Sequence, residues 1–268
     1  MPTSPTARRV RREPPQFRPV TVVRAEARSN RLVRVTLAGD ALVGMPVPDP
    51  AASVRLLLPS PGTDELMVPA WNGNEFLLPD GTRPVLRTFT PWRDDPESDT
   101  LAIDVVLHGA GAASAWAARA GAGMPAALSG PGRGSAPAAG ASSYLLLGDE
   151  SARPGIEQVL AGLALDAAAR VAIELDDATG ELTLPTRAGT ALEWRLRTAG
   201  DAPGATLLDA ARAADLADDV GIWAAGEAAG MQRIRRHLFE ERGLPRPRAV
   251  IRGYWKTGSA GDSDASPE

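Results

Sequence analysis

The segment LRTFTPW, Leu86 to Trp92, sets a guanidinium, two hydroxyls and a phenyl ring on one short stretch around a proline. On a strand, alternation sends Arg87 and Phe89 to one face and Thr88 and Thr90 to the other. A guanidinium fork suits a phosphate, a ring can cover a heterocycle, and a hydroxyl or amide can reach a ring nitrogen. A phosphorylated aromatic cofactor would use all three, whereas an ordinary threonine-rich strand end would use none. Further on, HGAGAASAWAARAGAG puts His108, Gly109 and Gly111 before a helix that carries Ala113, Ser114 and Trp116. Small residues ahead of a helix let the backbone approach a pyrophosphate closely. The turn LSGPGRG, with Arg133, follows. Each piece alone reads equally as a loop or a helix cap.

Two kinds of element must position these residues. From Pro19 to about Pro131 the runs VTVVRAEA and RLVRVTLAG alternate apolar and polar residues, SVRLLLP and LAIDVVLHG are stiff and apolar, and Pro and Gly punctuate them. Short strands at this spacing predict an antiparallel β-barrel, with AASAWAARAG as its helix. After GPGRGSAPAAGASS the texture changes to alternating strands and helices: YLLLGD, SARPGIEQVLAGLAL, RVAIELDD, LEWRLR, ATLLDAARAADL, DVGIWAAGE, AAGMQRIRRHLFEERG and RAVIRGYW. That order predicts a doubly wound, mostly parallel α/β domain, whose crevice at the carboxyl ends of the strands offers helix N-termini to a nucleotide. The expected divisions are a disordered arm over 1–16, the barrel over 17–134, a linker over 135–142, the α/β domain over 143–258 and a disordered tail over 259–268.

Composition narrows the chemistry. The 268 residues, 44% hydrophobic, are enough for two cores. A formal charge of -4 argues against nucleic acid as a partner, because phosphate-backbone affinity needs a basic surface. With no Cys, disulfides, thiolate zinc, cysteine nucleophiles and cysteine-ligated iron–sulfur clusters are excluded, and two His make a multi-histidine metal centre a poor reading. Redox chemistry would therefore need an organic cofactor. No run is long enough to span a membrane and the N-terminus lacks a secretory apolar region, so the expectation is a cytoplasmic protein without membrane insertion, a monomer by default. RDDPESD reads as a solvated turn; Met231, Ile234 and Leu238 read as helix core, His237 as a helix-surface residue, and RIRRH as basic residues favoured by the helix dipole.

Taken in order, VTV…RLVRVTLAG, SVRLLLP, LRTFTPW, DVVLHGAGAASAWA, LSGPGRG, YLLLGDESARPGI, WAAGEAAGMQRIRRHLFEERGL and IRGYWKTG resemble the siderophore-interacting protein family of FAD-dependent ferric-siderophore reductases, within the ferredoxin-reductase-like superfamily. The resemblance runs from about Phe17 to Gly258. It implies an FAD-binding barrel followed by an NAD(P)H-binding domain. Arg87, Phe89 and Thr90, with Thr88 among them, fall on the Arg-x-Tyr-Thr/Ser flavin motif, where Phe89 keeps a ring but lacks the phenol. His108, Gly109, Gly111, Ala113, Ser114 and Trp116 fall on the segment that lines FAD.

Gly148, Asp149, Glu150 and Ser151, with Pro154, match the family's turn after the first parallel strand, and Ala225, Gly226 and Glu227 match the AGE beside the nicotinamide. Arg55, Arg133 and Lys256, the single lysine beside 28 arginines, stand where the family holds anionic ferric siderophores. The implied activity passes electrons from NAD(P)H through flavin to siderophore-bound Fe(III), with no side chain acting as acid or base. The alternatives are a flavin reductase serving another acceptor, reduced ferredoxin as the donor, and a non-catalytic siderophore- or nucleotide-binding protein that has lost flavin. Arg153 and the arginines of RIRRH are candidates for a 2′-phosphate.

Overall fold

The computed structural model describes residues 15–45, 48–92, 98–109, 111–137, 139–180, 183–186 and 188–259. Most of the expected arm, most of the expected tail and most of RDDPESD lie outside the described residues.

The first sheet is antiparallel and contains β1 (Arg18–Ser29), β2 (Leu32–Ala38), β3 (Val54–Leu58), β6 (Val85–Phe89), β7 (Pro91–Trp92), β8 (Thr100–Val106) and β9 (Pro125–Ser129). Between β3 and β6, the short strands β4 (Ala70–Trp71) and β5 (Phe76–Leu77) pair only with each other. The order β6-β3-β9-β1-β2-β8-β7 closes on itself, because β6 and β7 are consecutive pieces of one segment. Val85–Phe89 pairs with β3, and Pro91–Trp92 pairs with β8. Pro91 has no amide hydrogen to give a ladder, so the segment changes partners where the donor is missing. The flavin-like motif of the sequence is thus the stave that closes the barrel.

Inside, Val33, Val35, Leu37, Val54, Leu56, Leu101, Ile103 and Leu128 form the core, with Trp116 and Ala117 of α1 (Ala112–Ala118) covering one end. The outer face of β2 is buried as well. Its Arg34 makes a two-pronged pair with Asp104 on β8, at 2.7 and 3.0 Å, and lies 5.3 Å from the Trp92 ring. That face meets the second domain, which is why a strand of alternating character has no solvent side.

The second sheet is wholly parallel, with order β12-β11-β10-β13-β14. Its strands are β10 (Ser143–Asp149), β11 (Ala168–Leu175), β12 (Thr190–Leu196), β13 (Gly221–Glu227) and β14 (Ala249–Trp255). Helices α2 (Arg153–Gly162), α3 (Ala205–Ala213) and α4 (Ala228–Arg236) supply the crossovers from β10 to β11, from β12 to β13 and from β13 to β14, and α4 runs on into a π-helical turn over His237–Glu241. Met231, Ile234 and Leu238 pack in the core beside α3 as expected. His237 corrects the sequence reading: it is 7% exposed, with Nδ1 2.7 Å from Glu241. It lies three residues after Ile234 and seven after Gly230, on the face of α4 that meets the core.

The linker is fixed to the barrel: Ser135 donates its amide to Pro50 and its hydroxyl to Ala51. Across the interface, Gln158 of α2 accepts from the Ala51 amide and donates to the Pro91 carbonyl at 2.6 Å. Arg153 and Glu157, 2.6 Å apart and both buried, lie beside the Arg34–Asp104 pair. At the other edge Arg31, in the β1–β2 turn, binds Glu150 at 3.1 Å and Asp176 at 2.8 Å and faces Asp177 at 3.8 Å. Gly155 is required by packing. A Cβ there would lie 2.7 Å from the ring of Trp223, which is fully buried on β13.

Two outcomes follow from this interface. Gly155→Ala should cost about 1–3 kcal/mol, read as a lower urea midpoint, because the indole has nowhere to retreat. Burial holds Glu150 above the usual carboxylate range although Arg31 pulls it down. A carboxyl raised on folding contributes full stability below its unfolded pKa and loses it as pH rises through the folded one. Arg31→Met removes the opposing cation and raises Glu150 further. The variant's deficit, roughly 1–3 kcal/mol at neutral pH, should therefore shrink on acidification, checked by urea unfolding at pH 5 and 8.

Candidate functional site

The site forms where the barrel-closing stave meets the carboxyl edge of the parallel sheet. Arg87 and Phe89 sit opposite Leu56 and Val54, on the inward face of β6, and Phe89 packs against the barrel core while staying half-exposed. The Arg87 guanidinium is half-buried and donates to the Leu86 carbonyl at 2.6 Å. Thr88 is exposed on the opposite face, level with Arg55. Thr90 does not share that exposed face. The change of partner between β6 and β7 buries it to 8% exposure, hydrogen-bonded to the Tyr254 phenol of β14. Tyr254 packs edge-on to Trp223 at 6.3 Å, and burial pushes its phenol above the ordinary value.

His108 and Gly109 are exposed at the mouth of the loop before α1. The Ser114 hydroxyl accepts from the His108 amide at 3.2 Å, so it shapes the loop. No side chain caps α1, whose N-cap is Gly111 at φ 100° and whose first turn carries Ala112 and Ala113. Trp116 is 2% exposed in the barrel core, so its ring supports the loop from beneath and does not face the cleft. A guanidinium, an uncapped small-residue helix start and a half-exposed ring around one stave suit the phosphates and the flat ring system of a flavin dinucleotide.

The nucleotide crevice differs from the expectation of open helix N-termini. Three carboxylates at the ends of adjacent strands already occupy those amides. Asp149 accepts from the Ser151 amide at 3.0 Å and its hydroxyl at 2.5 Å, capping the turn into α2. Glu174 accepts from Gly204 at 2.6 Å and from the Thr206 amide and hydroxyl, capping α3. Glu227 accepts from Gly230 at 2.8 Å, capping α4, and from the Thr257 amide at 3.2 Å. Asp149 is also bound by the Trp255 indole at 2.7 Å, and burial, with the Glu174 charge adding, holds its carboxyl above the usual range. A Cβ on Gly226, at φ 156°, would lie 2.6 Å from the Asp149 oxygen, so only glycine fits between them.

Of the expected nucleotide residues, Gly148, Asp149, Ala225, Gly226 and Glu227 meet at the switch between β10 and β13, where the strand order reverses. The Glu150 side chain is committed to Arg31, and that of Ser151 to Asp149. Arg153 cannot receive a 2′-phosphate, being buried against Glu157. Lys256 is exposed directly after β14, and Arg133 is exposed just beyond β9. Arg55 is half-buried on β3. Sequence reasoning missed Tyr254, Gln158, Glu174 and Arg31. Tyr254 stood in the quoted GYW run, but pattern alone assigns an isolated polar residue on a helix, such as Gln158, to solvent.

Comparison with known proteins covers both halves. The family model described as siderophore-interacting FAD-binding domain matches residues 21–135, and that described as siderophore-interacting protein matches 141–258. Over 245 residues the chain is 32% identical to the NADPH-dependent ferric-chelate reductase of Escherichia coli, covering 90% of this chain and 93% of that one. It is 28% identical over 239 residues to the ferric vibriobactin reductase of Vibrio cholerae, covering 88% of each. The crystal structure of a siderophore utilization protein from T. fusca superposes with a TM-score of 0.80 at 34% identity, covering 92% of this chain and 95% of that one. With the barrel, the parallel sheet and the motifs between them all matched in one order, the chain belongs to the siderophore-interacting protein family.

Proposed function

We propose that the protein is an FAD-dependent reductase of ferric siderophores that draws electrons from NAD(P)H. The observation that carries this reading is the barrel-closing stave, which sets Arg87, Phe89 and Thr90 beside the uncapped start of α1 and under Tyr254. Arg87 pairs with a cofactor phosphate. Phe89 covers one face of the isoalloxazine, giving the stacking of the family's tyrosine without its phenol. Thr90 meets the ring edge, and its bond to Tyr254 sets where that edge lies relative to the second domain. Gly109 and Gly111 let the backbone approach the pyrophosphate.

When bound, FAD takes a hydride as an electron pair and releases electrons singly, matching a two-electron donor to one-electron iron. Siderophores present hard oxygen or mixed donors suited to Fe(III), and the softer Fe(II) is held more weakly and leaves. The residues of this chain need move no proton in that transfer. They align donor, ring and iron complex, and Arg55, Arg133 and Lys256 raise the local concentration of an anionic chelate. The nicotinamide dinucleotide is read at the carboxyl ends of β10 and β13, beside Gly148, Asp149, Ala225, Gly226 and Glu227. The reading places the protein in the cytoplasm as a monomer; no helix among the described residues is long and apolar enough to cross a membrane.

Ferrous release trapped by a ferrous-specific chelator, with NADH or NADPH and a ferric siderophore, tests the activity. Release that requires both FAD and the siderophore is expected, and no release with any ferric siderophore would sink the reading. Arg87→Ala should weaken FAD binding about 10- to 100-fold, measured by flavin fluorescence titration, as loss of a charge-assisted phosphate contact of about 1.5–3 kcal/mol. Tyr254→Phe should leave FAD affinity within about threefold but slow flavin reduction by pyridine nucleotide, read by stopped flow. It removes one hydrogen bond of about 1 kcal/mol from the ring-edge support and nothing from the phosphate end.

A further inference from the structure

One corner of the nucleotide crevice carries charges that the site residues above leave unused. β11 pairs with β10 on the side away from β13, and its Glu174 stands opposite Asp149. Just past the end of β11 come Asp176 and Asp177, whose side chains are 41% and 47% exposed. Asp177 accepts from the Thr179 hydroxyl, and from its amide at 2.8 Å, and these bonds hold its carboxyl below the ordinary range. Two guanidiniums reach the same corner. Arg31 faces Glu150, Asp176 and Asp177, and Arg197 faces Asp176 and, at 3.9 Å, Glu174. Among the described residues, these two cations thus answer four carboxylates.

In a doubly wound sheet the dinucleotide crosses the switch point, and the acidic residue that meets the adenosine ribose stands at the carboxyl end of the strand after the first βα turn. Here that strand is β11, so the ribose comes to Asp176. NADPH differs from NADH only by a phosphate on the 2′-oxygen of that ribose. Such a phosphate needs a guanidinium to spare, and the arginines that the sequence offered for it are placed elsewhere or engaged. Arg153 is buried against Glu157. Arg235 lies in the last turn of α4, about 12 Å along the axis from the helix start, and donates to the Ile251 carbonyl at 2.7 Å. Arg236 shares that turn and faces Glu241 at 4.0 Å. Arg233 donates to the Pro203 carbonyl at 2.7 Å, at the start of α3 that Glu174 caps.

From this corner we infer that the crevice selects NADH over NADPH: Asp176 accepts from the adenosine ribose hydroxyls, and Asp176 and Asp177 together repel a 2′-phosphate. A carboxylate whose two oxygens each hold a guanidinium still has lone pairs for a hydroxyl. A phosphate offers no hydrogen there and adds charge of the same sign. Arg31 and Arg197 could turn to it only by leaving Glu150 and Asp176, so like charges would stand together without an answering cation. This inference rests on reading the carboxyl edge of the sheet as the nicotinamide-dinucleotide site.

The test is calorimetric binding of redox-inert donors, the tetrahydronicotinamide analogues of NADH and NADPH, to the FAD-loaded full chain. The NADH analogue should bind about tenfold more tightly at low salt, and the gap should narrow at high salt because the discrimination is a charge repulsion. Asp176→Asn combined with Asp177→Asn keeps acceptors for Arg31 and Thr179 while removing both charges. That variant should bring the two analogues within about threefold of each other without moving the flavin spectrum. Asp177→Asn alone, which leaves Arg31 its pairs with Glu150 and Asp176, should shift the ratio in the same direction by a smaller factor. Equal affinity in the parent chain, tighter binding of the phosphorylated analogue, binding of neither, or an unchanged ratio in the double variant would overturn the inference. An NADH analogue that binds as expected, while NADH itself fails to bleach the flavin, would leave the selectivity standing and remove the reductase reading instead.

Discussion

The structure turns on the short stretch Thr90–Pro91, which the second domain grips from two sides. Gln158 donates to the Pro91 carbonyl, and Tyr254 bonds the Thr90 hydroxyl. Both contacts fall where the stave leaves one barrel partner for the other, so the backbone there has no continuous ladder of its own. The gripping residues are fixed in turn by packing: Tyr254 against Trp223, and Trp223 against Gly155 on the same helix as Gln158. A chain of contacts therefore runs from α2 through two strands to the ring-edge position of the proposed flavin. Barrel and sheet act as one frame because the site lies in their seam.

The carboxylate caps shape the other side of that seam. Asp149, Glu174 and Glu227 satisfy helix-start amides that would otherwise be orphaned, and they do so from buried or half-buried positions at three strand ends. The arrangement stabilises the helices.

Much of this was legible before any coordinates. Period-two runs followed by a strand–helix alternation gave the barrel and the parallel sheet, since both signals come from local burial patterns. Arg87 and Phe89 were placed on one strand face by alternation, and their pairing with Leu56 and Val54 of β3 keeps them there. What escaped was tertiary. Thr90 was placed on one face with Thr88 by alternation, which holds only along an unbroken ladder. His237 was assigned to the surface, although its place three residues after Ile234 puts it on the buried face of α4. Trp116 was assigned to the cofactor, yet an indole after a run of alanines is also what a small barrel needs to close its end. Gln158 and Arg31 carried no local signal, since their partners lie on the other domain.

The most direct test of the account is an anaerobic spectrum of the FAD-reconstituted, desalted protein, reduced with NAD(P)H and then mixed with a ferric siderophore and a ferrous trap. The account predicts a flavin band that stays with the protein, bleaches on reduction and returns as about two Fe(II) appear per flavin, the ratio set by a two-electron carrier and a one-electron acceptor. A protein that elutes colourless, or a bleached flavin that the ferric siderophore does not restore, would contradict it.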